Sequence, residues 1–146
     1  MIKEFQFYLD TGLAKESKPD FIEAEALLGK AGGRLKFIRL IKIDMTTSPY
    51  VFEEIYECAR EAAQSLMSLK GYKPYSHEAL VSFLNEFFGF RGEDIASFNR
   101  YRILRNKTVY KGEKISTTTC QEALDFLTEF FPKLEKEFNN LHGGKI

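Results

Sequence analysis

The chain has no tryptophan, two cysteines, two histidines and four prolines, and its 21 basic residues are matched by 21 acidic ones. Each shortage excludes something. Cys58 and Cys120 are far apart and form no CxxC pair, and two histidines are too few for a Cys/His zinc site. Free thiols in a reducing compartment are the expected state, and no metal or cofactor is expected. A formal net charge of zero removes any bulk electrostatic reason to bind nucleic acid or a membrane, so such binding has to come from local clustering. No apolar run is long enough to span a bilayer, and Met1-Ile2-Lys3-Glu4 carries no apolar signal core. The expectation is a cytoplasmic protein with no membrane attachment. Alternating strand patterns, internal repeats and low-complexity stretches are also missing.

What is present fits one domain over residues 1–146. A chain of this size can bury roughly 70% of its unfolded surface without a metal or disulfide. Phenylalanine is abundant, at 14 residues, and partly paired: Phe87-Phe88 followed by Phe90, and Phe130-Phe131. One helix face cannot bury both members of an adjacent pair, so some of these rings need a second surface, on another helix or another subunit.

Helical spacing runs through the whole chain. Ile2 to Leu13 reads as a short helix. Asp20, with Glu23 three residues on, has the form of a capping box, and Ala24, Leu27, Leu28, Ala31, Leu35 and Ile38 follow as an apolar stripe. Gly32-Gly33 interrupts it at ~1 kcal/mol per glycine, which marks either a close helix crossing in one long helix or a break into two. Ser48-Pro49 starts a third helix carrying Val51, Ile55, Ala59, Ala62 and Leu66, and Gly71 ends it. Ser76 caps a fourth, with Ala79, Leu80, Phe83, Leu84 and Phe87 at helical spacing. A fifth runs from about Glu93 to Tyr110, closed by Gly112. Thr119 and Glu122 suggest a capping box for a last helix reaching about Leu141, which Pro132 should kink or split. Short connections between amphipathic helices predict an all-α, antiparallel bundle of five or six helices.

The fifth helix carries the functional signal. On a wheel at 100° per residue, Ile95, Phe98 and Val109 define an apolar face, and Arg102 and Asn106 fall in the middle of it. Asn99, Ile103 and Tyr110 lie on one side and Arg105 on the other. A buried unpaired charge costs several kcal/mol, so this polar stripe is either an internal hydrogen-bonded network that fixes register or the wall of an anion-binding or catalytic cleft. Charge is concentrated in the same place: Arg100, Arg102, Arg105, Lys107, Lys111 and Lys114 are opposed only by Glu113. Cations at a helix C-terminus suit the macrodipole; they also suit a phosphate or RNA.

Two other constellations compete less well. Glu54, Glu57 and Glu61 are spaced like a ferritin-type metal face, but the Glu-x-x-His pairs are missing, and a solvated face is the expectation. His77, in the first turn of its helix, reads as a local hydrogen-bonding residue rather than a base.

At Arg105-Asn106-Lys107-Thr108-Val109-Tyr110 the sequence resembles the HEPN superfamily of small helical-bundle proteins. The mark of that family is an arginine, a polar residue, three more residues and a histidine near a helix end. Gly71-Tyr72 with Ser76-His77-Glu78-Ala79-Leu80, and Tyr110-Lys111-Gly112 with Ile115-Ser116, resemble flanking segments of its small archaeal and bacterial members. The resemblance covers roughly Ile55 to the end. It implies a bundle that dimerises with the motif helices near the interface. Many members are metal-independent ribonucleases; others are toxin partners of a small nucleotidyltransferase, or bind nucleotides or proteins. Carried over, Arg105 would hold phosphate and Asn106 would orient groups beside it. Tyr110 stands in the histidine's place, and Gly112 where the toxin branch has a tyrosine. A phenol is a poor proton carrier near neutral pH, where an imidazole is a good one. The resemblance therefore implies a non-catalytic or weakly active HEPN-like domain. Such a domain would bind a nucleotide, RNA or protein partner through Asn99, Arg102, Arg105, Asn106 and Lys107, in a basic groove at a homodimer interface. The alternative is a ribonuclease, in a toxin–antitoxin pair with a nucleotidyltransferase, for which Arg105, Asn106 and Tyr110 are the catalytic candidates.

Overall fold

Local signals set where each helix begins and ends, and a computed structural model, which describes residues 1–143, shows the result. The elements in order are α1 (Phe5–Asp10), β1 (Ala14–Glu16), α2 (Phe21–Ile38), α3 (Ser48–Lys70), β2 (Tyr72–Pro74), α4 (His77–Phe87), α5 (Gly92–Lys111) and α6 (Thr117–Gly143). The chain is an all-α helical bundle with one small two-stranded sheet. The Asp20 carboxylate accepts the Glu23 N–H at 2.9 Å and the Ser76 hydroxyl accepts the Ala79 N–H at 3.1 Å. Each such cap contributes about 1 kcal/mol. Among the described residues no helix is long and apolar enough to cross a membrane.

The bundle is built around α3, which α2 and α6 flank and against which α4 and α5 also pack. Residues buried on α3 run all the way round it, from Val51, Phe52, Ile55 and Tyr56 to Leu66, Met67 and Leu69, the pattern of a helix enclosed by others. Its small residues, Ala59, Ala62 and Ala63, let neighbours come close. The Gly32-Gly33 alternative resolves to a single α2, in which Gly32 faces the Phe131 ring of α6: a Cβ there would stand 3.8 Å from Phe131 Cζ. The helix is unbroken there, and Gly32 meets only the tip of the Phe131 ring, at ordinary van der Waals distance rather than in a close helix crossing.

Several expectations are corrected. The first helix is only six residues long, and the chain beyond it pairs as β1 with β2, antiparallel, Ala14 opposite Pro74 and Glu16 opposite Tyr72. Three-residue strands are too short to show alternation, and this pairing joins segments nearly sixty residues apart in sequence. Gly71 closes α3 at φ 87°, and a Cβ there would stand 2.9 Å from the Ser17 carbonyl oxygen. Only glycine fits that corner. The last helix is capped three residues earlier than read, by Ser116, whose hydroxyl accepts the Thr119 N–H at 3.0 Å. It runs through Pro132 as one helix rather than splitting.

The paired phenylalanines find their second surface inside the molecule. Phe130 and Phe131 are both buried. Phe88 stands edge-on to Phe83, Phe90 packs tilted between Phe88 and Phe130, and Phe126 lies flat on Phe130. Each fully buried ring contributes roughly 2 kcal/mol. Phe87 is the exception: it stacks on Phe83 yet remains 38% exposed.

The glutamates of α3 are not a solvated face. Glu61 is 2% exposed and accepts Arg34 Nε at 2.8 Å, while the same guanidinium reaches Glu54 at 2.8 Å. Glu57 is held by Arg60. Each carboxylate of the supposed metal face thus neutralises a guanidinium. The Glu61 hydrogen bond in turn raises Arg34 above its ordinary range.

Helix α5 is anchored at its start. Lys133 of α6 pairs with Asp94 at 2.8 Å, and Tyr101 packs on Phe126. Its buried residues are Asp94, Phe98, Tyr101 and Arg102, all in its first eleven positions. From Ile103 onward every side chain is half-buried or exposed.

Candidate functional site

The polar stripe of α5 faces the start of α4 and the middle of α3, and its members divide into two pairs. Arg102 is buried and donates Nε to the Asn99 side-chain oxygen at 2.9 Å. Its Nη1 stands 3.7 Å from Glu78 of α4, whose other oxygen accepts the Tyr8 hydroxyl at 3.2 Å. This half of the stripe is a satisfied network that ties α1, α4 and α5 together. Arg105 and Asn106 form the other half. Arg105 donates to the Asn106 oxygen at 3.4 Å, and its guanidinium lies 6.0 Å from the centre of the Tyr56 ring. Both residues are half-buried, whereas Lys107 and Tyr110 are exposed, Tyr110 at 75%. The structure therefore brings Asn99 to Arg102 and Arg105 to Asn106. Lys107 and Tyr110 stay at the rim.

Residues of α3 and α4 complete the cluster. Tyr56 is a core ring of α3, 2% exposed, with its hydroxyl 2.9 Å from His77 Nδ1 and its ring stacked on the imidazole, centroids 5.6 Å apart. Arg60, one turn along α3, grips Glu57 through two of its nitrogens and donates to Gln64 at 2.5 Å. His77 follows the Ser76 cap. Its hydrogen bond is to a residue on another helix, so the local role expected from its first-turn position is not the one it has. His77 Nε2 makes no hydrogen bond among the described residues, and the imidazole is half-buried.

Charge in this cluster is uneven. Arg60 is matched by Glu57, and Arg102 by Glu78. Arg105 has no carboxylate partner among the described residues. The imbalance is felt by its neighbours. Burial, then the positive charges of Arg105, Arg60 and Arg102, push His77 below its ordinary pKa against the pull of Glu57. Burial pushes the Tyr56 phenol well above its ordinary range, and the three guanidiniums only partly offset this. Both shifts favour the uncharged ring near neutral pH. The site therefore presents fixed guanidinium charge and neutral hydrogen-bonding rings, the equipment for holding an anion. Cys58, by contrast, is buried, donates to the Ala31 carbonyl, and has its thiol pushed up to about 12, so it is chemically inert here.

A groove of about 680 Å³ between α2 and α6, floored by Gly29, Gly32 and Phe131, lies apart from this cluster and carries both signs of charge, Glu25 and Glu135 against Lys36 and Arg39. The sequence pointed to α5 because polar residues interrupt its apolar face. Nothing local in the sequence marks Tyr56 or Arg60 or shows that they meet His77. Comparison of the chain with models of protein families, with curated proteins and with solved structures finds no match.

Proposed function

We propose that this chain is a HEPN-like, non-catalytic phosphate-binding domain for a nucleotide or single-stranded RNA, with Arg105 as the principal anion ligand. The observation that carries this reading is the half-buried Arg105 guanidinium, which lies against the Tyr56 ring beside His77 and lacks a carboxylate partner among the described residues. A guanidinium left without an acid is desolvated at a cost that a bound anion offsets. Two exposed tyrosines flank the cluster: Tyr110, four residues beyond Asn106 on α5, and Tyr75, two before His77. Each is a platform on which a base can stack, worth roughly 1–3 kcal/mol per base. Lys107, Lys111 and Lys114, all exposed, extend the positive surface along the path a strand would take.

The test is fluorescence anisotropy with a labelled single-stranded RNA oligonucleotide, and titration calorimetry with inorganic pyrophosphate. Saturable binding is expected, weakened about tenfold or more by Arg105→Ala, the scale of a charge-assisted contact. It should fall steeply with salt. Binding that ignores both Arg105→Ala and salt rejects the reading.

The position of His77 favours a second reading, metal-independent RNA cleavage with the histidine supplied by α4 instead of α5. RNA degradation by purified protein in the presence of a chelator, abolished by Arg105→Ala, would put that reading first.

A further inference from the structure

The Tyr56–His77 contact raises the question of where the protons sit. The hydroxyl and Nδ1 are 2.9 Å apart, so one of them donates. Tyr56 is buried, and a buried hydroxyl has to find an acceptor. The charged groups around it come from three elements. Arg60 of α3 and Arg102 and Arg105 of α5 are guanidiniums, which only donate. Glu57, the acidic neighbour on α3, has both oxygens committed to Arg60. On α4, Glu78 accepts the Tyr8 hydroxyl and faces Arg102. The lone pair of His77 Nδ1 is the acceptor within hydrogen-bond reach of the phenol.

We infer that Tyr56 donates its proton to Nδ1, fixes His77 as the neutral Nε2–H tautomer, and so makes the unbonded Nε2 a further hydrogen-bond donor for the phosphate held by Arg105. Tyr56 is then a positioning residue that acts on the ligand through His77. This deepens the phosphate-binding reading and rests on it. The tautomer has a functional consequence. With its proton already on Nε2 and its lone pair occupied by the phenol, the imidazole offers the ligand no basic nitrogen. It cannot take a proton from a ribose hydroxyl without first breaking the Tyr56 bond. The same histidine that makes cleavage look possible is arranged to bind.

Long-range proton–nitrogen correlation spectra of the full chain, nitrogen-15 labelled at histidine, test the assignment at about pH 8. The His77 ring should show a protonated Nε2 and an unprotonated Nδ1 whose resonance carries the shift of a hydrogen-bond acceptor, and Tyr56→Phe should move that resonance to the value of a free nitrogen. The ring should stay singly protonated when inorganic pyrophosphate is added. In calorimetry with pyrophosphate, Tyr56→Phe should weaken binding several-fold and His77→Phe about tenfold, the scale of losing one hydrogen bond to an anion. His77→Phe leaves the core ring of Tyr56 in place, so it reports even if Tyr56→Phe folds poorly. A protonated Nδ1 in the wild type, a ring that becomes doubly protonated on binding pyrophosphate, or unchanged affinity in His77→Phe overturns the inference. If Arg105→Ala leaves pyrophosphate affinity intact, the phosphate-binding reading itself fails. Loss with Arg105→Ala but not with His77→Phe sinks only the role given to the histidine.

Discussion

At the scale of single residues, burial decides which charges matter to stability. Arg34 is the clearest case, because it stands between the buried Glu61 and the partly buried Glu54. Removing one partner of a buried pair leaves the other uncompensated, at a cost of about 3–5 kcal/mol. Lys30 approaches Glu61 only to 3.9 Å from an exposed position, so it replaces little. Arg34→Met is expected to lower stability in urea by about 3 kcal/mol, and the double variant Arg34→Met/Glu61→Leu to recover most of the loss. Equal losses in the two would assign the cost to packing rather than charge. His77 supplies a pH dependence. Its folded pKa lies below the ordinary value of 6.5, so between the two values the unfolded chain binds more protons than the folded one. Stability is then complete above about pH 6.5 and declines as the pH falls toward the depressed value. The carboxylate Glu57 is shifted the same way by Arg60, but its loss begins only in the carboxylate range, further into acid. The urea midpoint of the wild type should fall between about pH 7.5 and pH 5.5, and fall less in His77→Gln. Identical decreases would mean that the imidazole is not held neutral by its surroundings.

At the scale of elements, most ends and corners were legible in the sequence, the end of α1 and the start of α6 excepted, and meetings between elements were not. Asp20, Ser76, Gly71 and Gly112 could be placed because capping and left-handed turns are decided within a few residues. The β1–β2 pairing could not, since it depends on where the α3–α4 corner returns in space. The polar interruption of α5 could be read on its own wheel, as Asn99, Arg102, Arg105 and Asn106. That His77 belongs with Arg105 depends on which face of α3 lies under the first turn of α4, and no local pattern encodes it. For the same reason Glu61 looked solvated: Arg34, its partner, comes from another helix. Two glycines test how elements are joined. Gly71→Ala places a Cβ 2.9 Å from the Ser17 oxygen at a positive φ and should cost about 1–3 kcal/mol. Gly33→Ala, on an exposed helical position with nothing within 4 Å, should stabilise by about 1 kcal/mol. Thermal melting of the two variants should move in opposite directions; movement in the same direction would contradict this account of the corner.

At the scale of the whole molecule, the question is what covers the outer part of α5. The phenylalanine argument for a second subunit is weaker than the sequence suggested, because all but Phe87 of those rings pack internally. Ile103, Val109 and Tyr110 remain, at 42%, 43% and 75% exposed, on the helix that carries the candidate site. Ile103 and Tyr110 share one side of the helix, an exposed apolar strip of the kind that pairs with another protein. The expectation is a dimer at micromolar concentration with α5 in its interface, converted to monomer by Ile103→Lys/Val109→Lys. A wild-type monomer of 16.9 kDa in sedimentation would leave this face to the ligand alone.

The uneven anchoring of α5 has one more consequence. Its first half is tied into the core through Phe98 and Tyr101, while from Ile103 on no side chain is fully buried. The free energy needed to fray the second half is therefore well below that of global unfolding, and Arg105 sits in the part that frays. Whatever anion binds there must also select the wound helix from its partly unwound alternatives, so affinity and helix order are linked and each raises the other. In this molecule the grip on the ligand would be tuned as much by residues that stiffen the last two turns of α5 as by those that touch it.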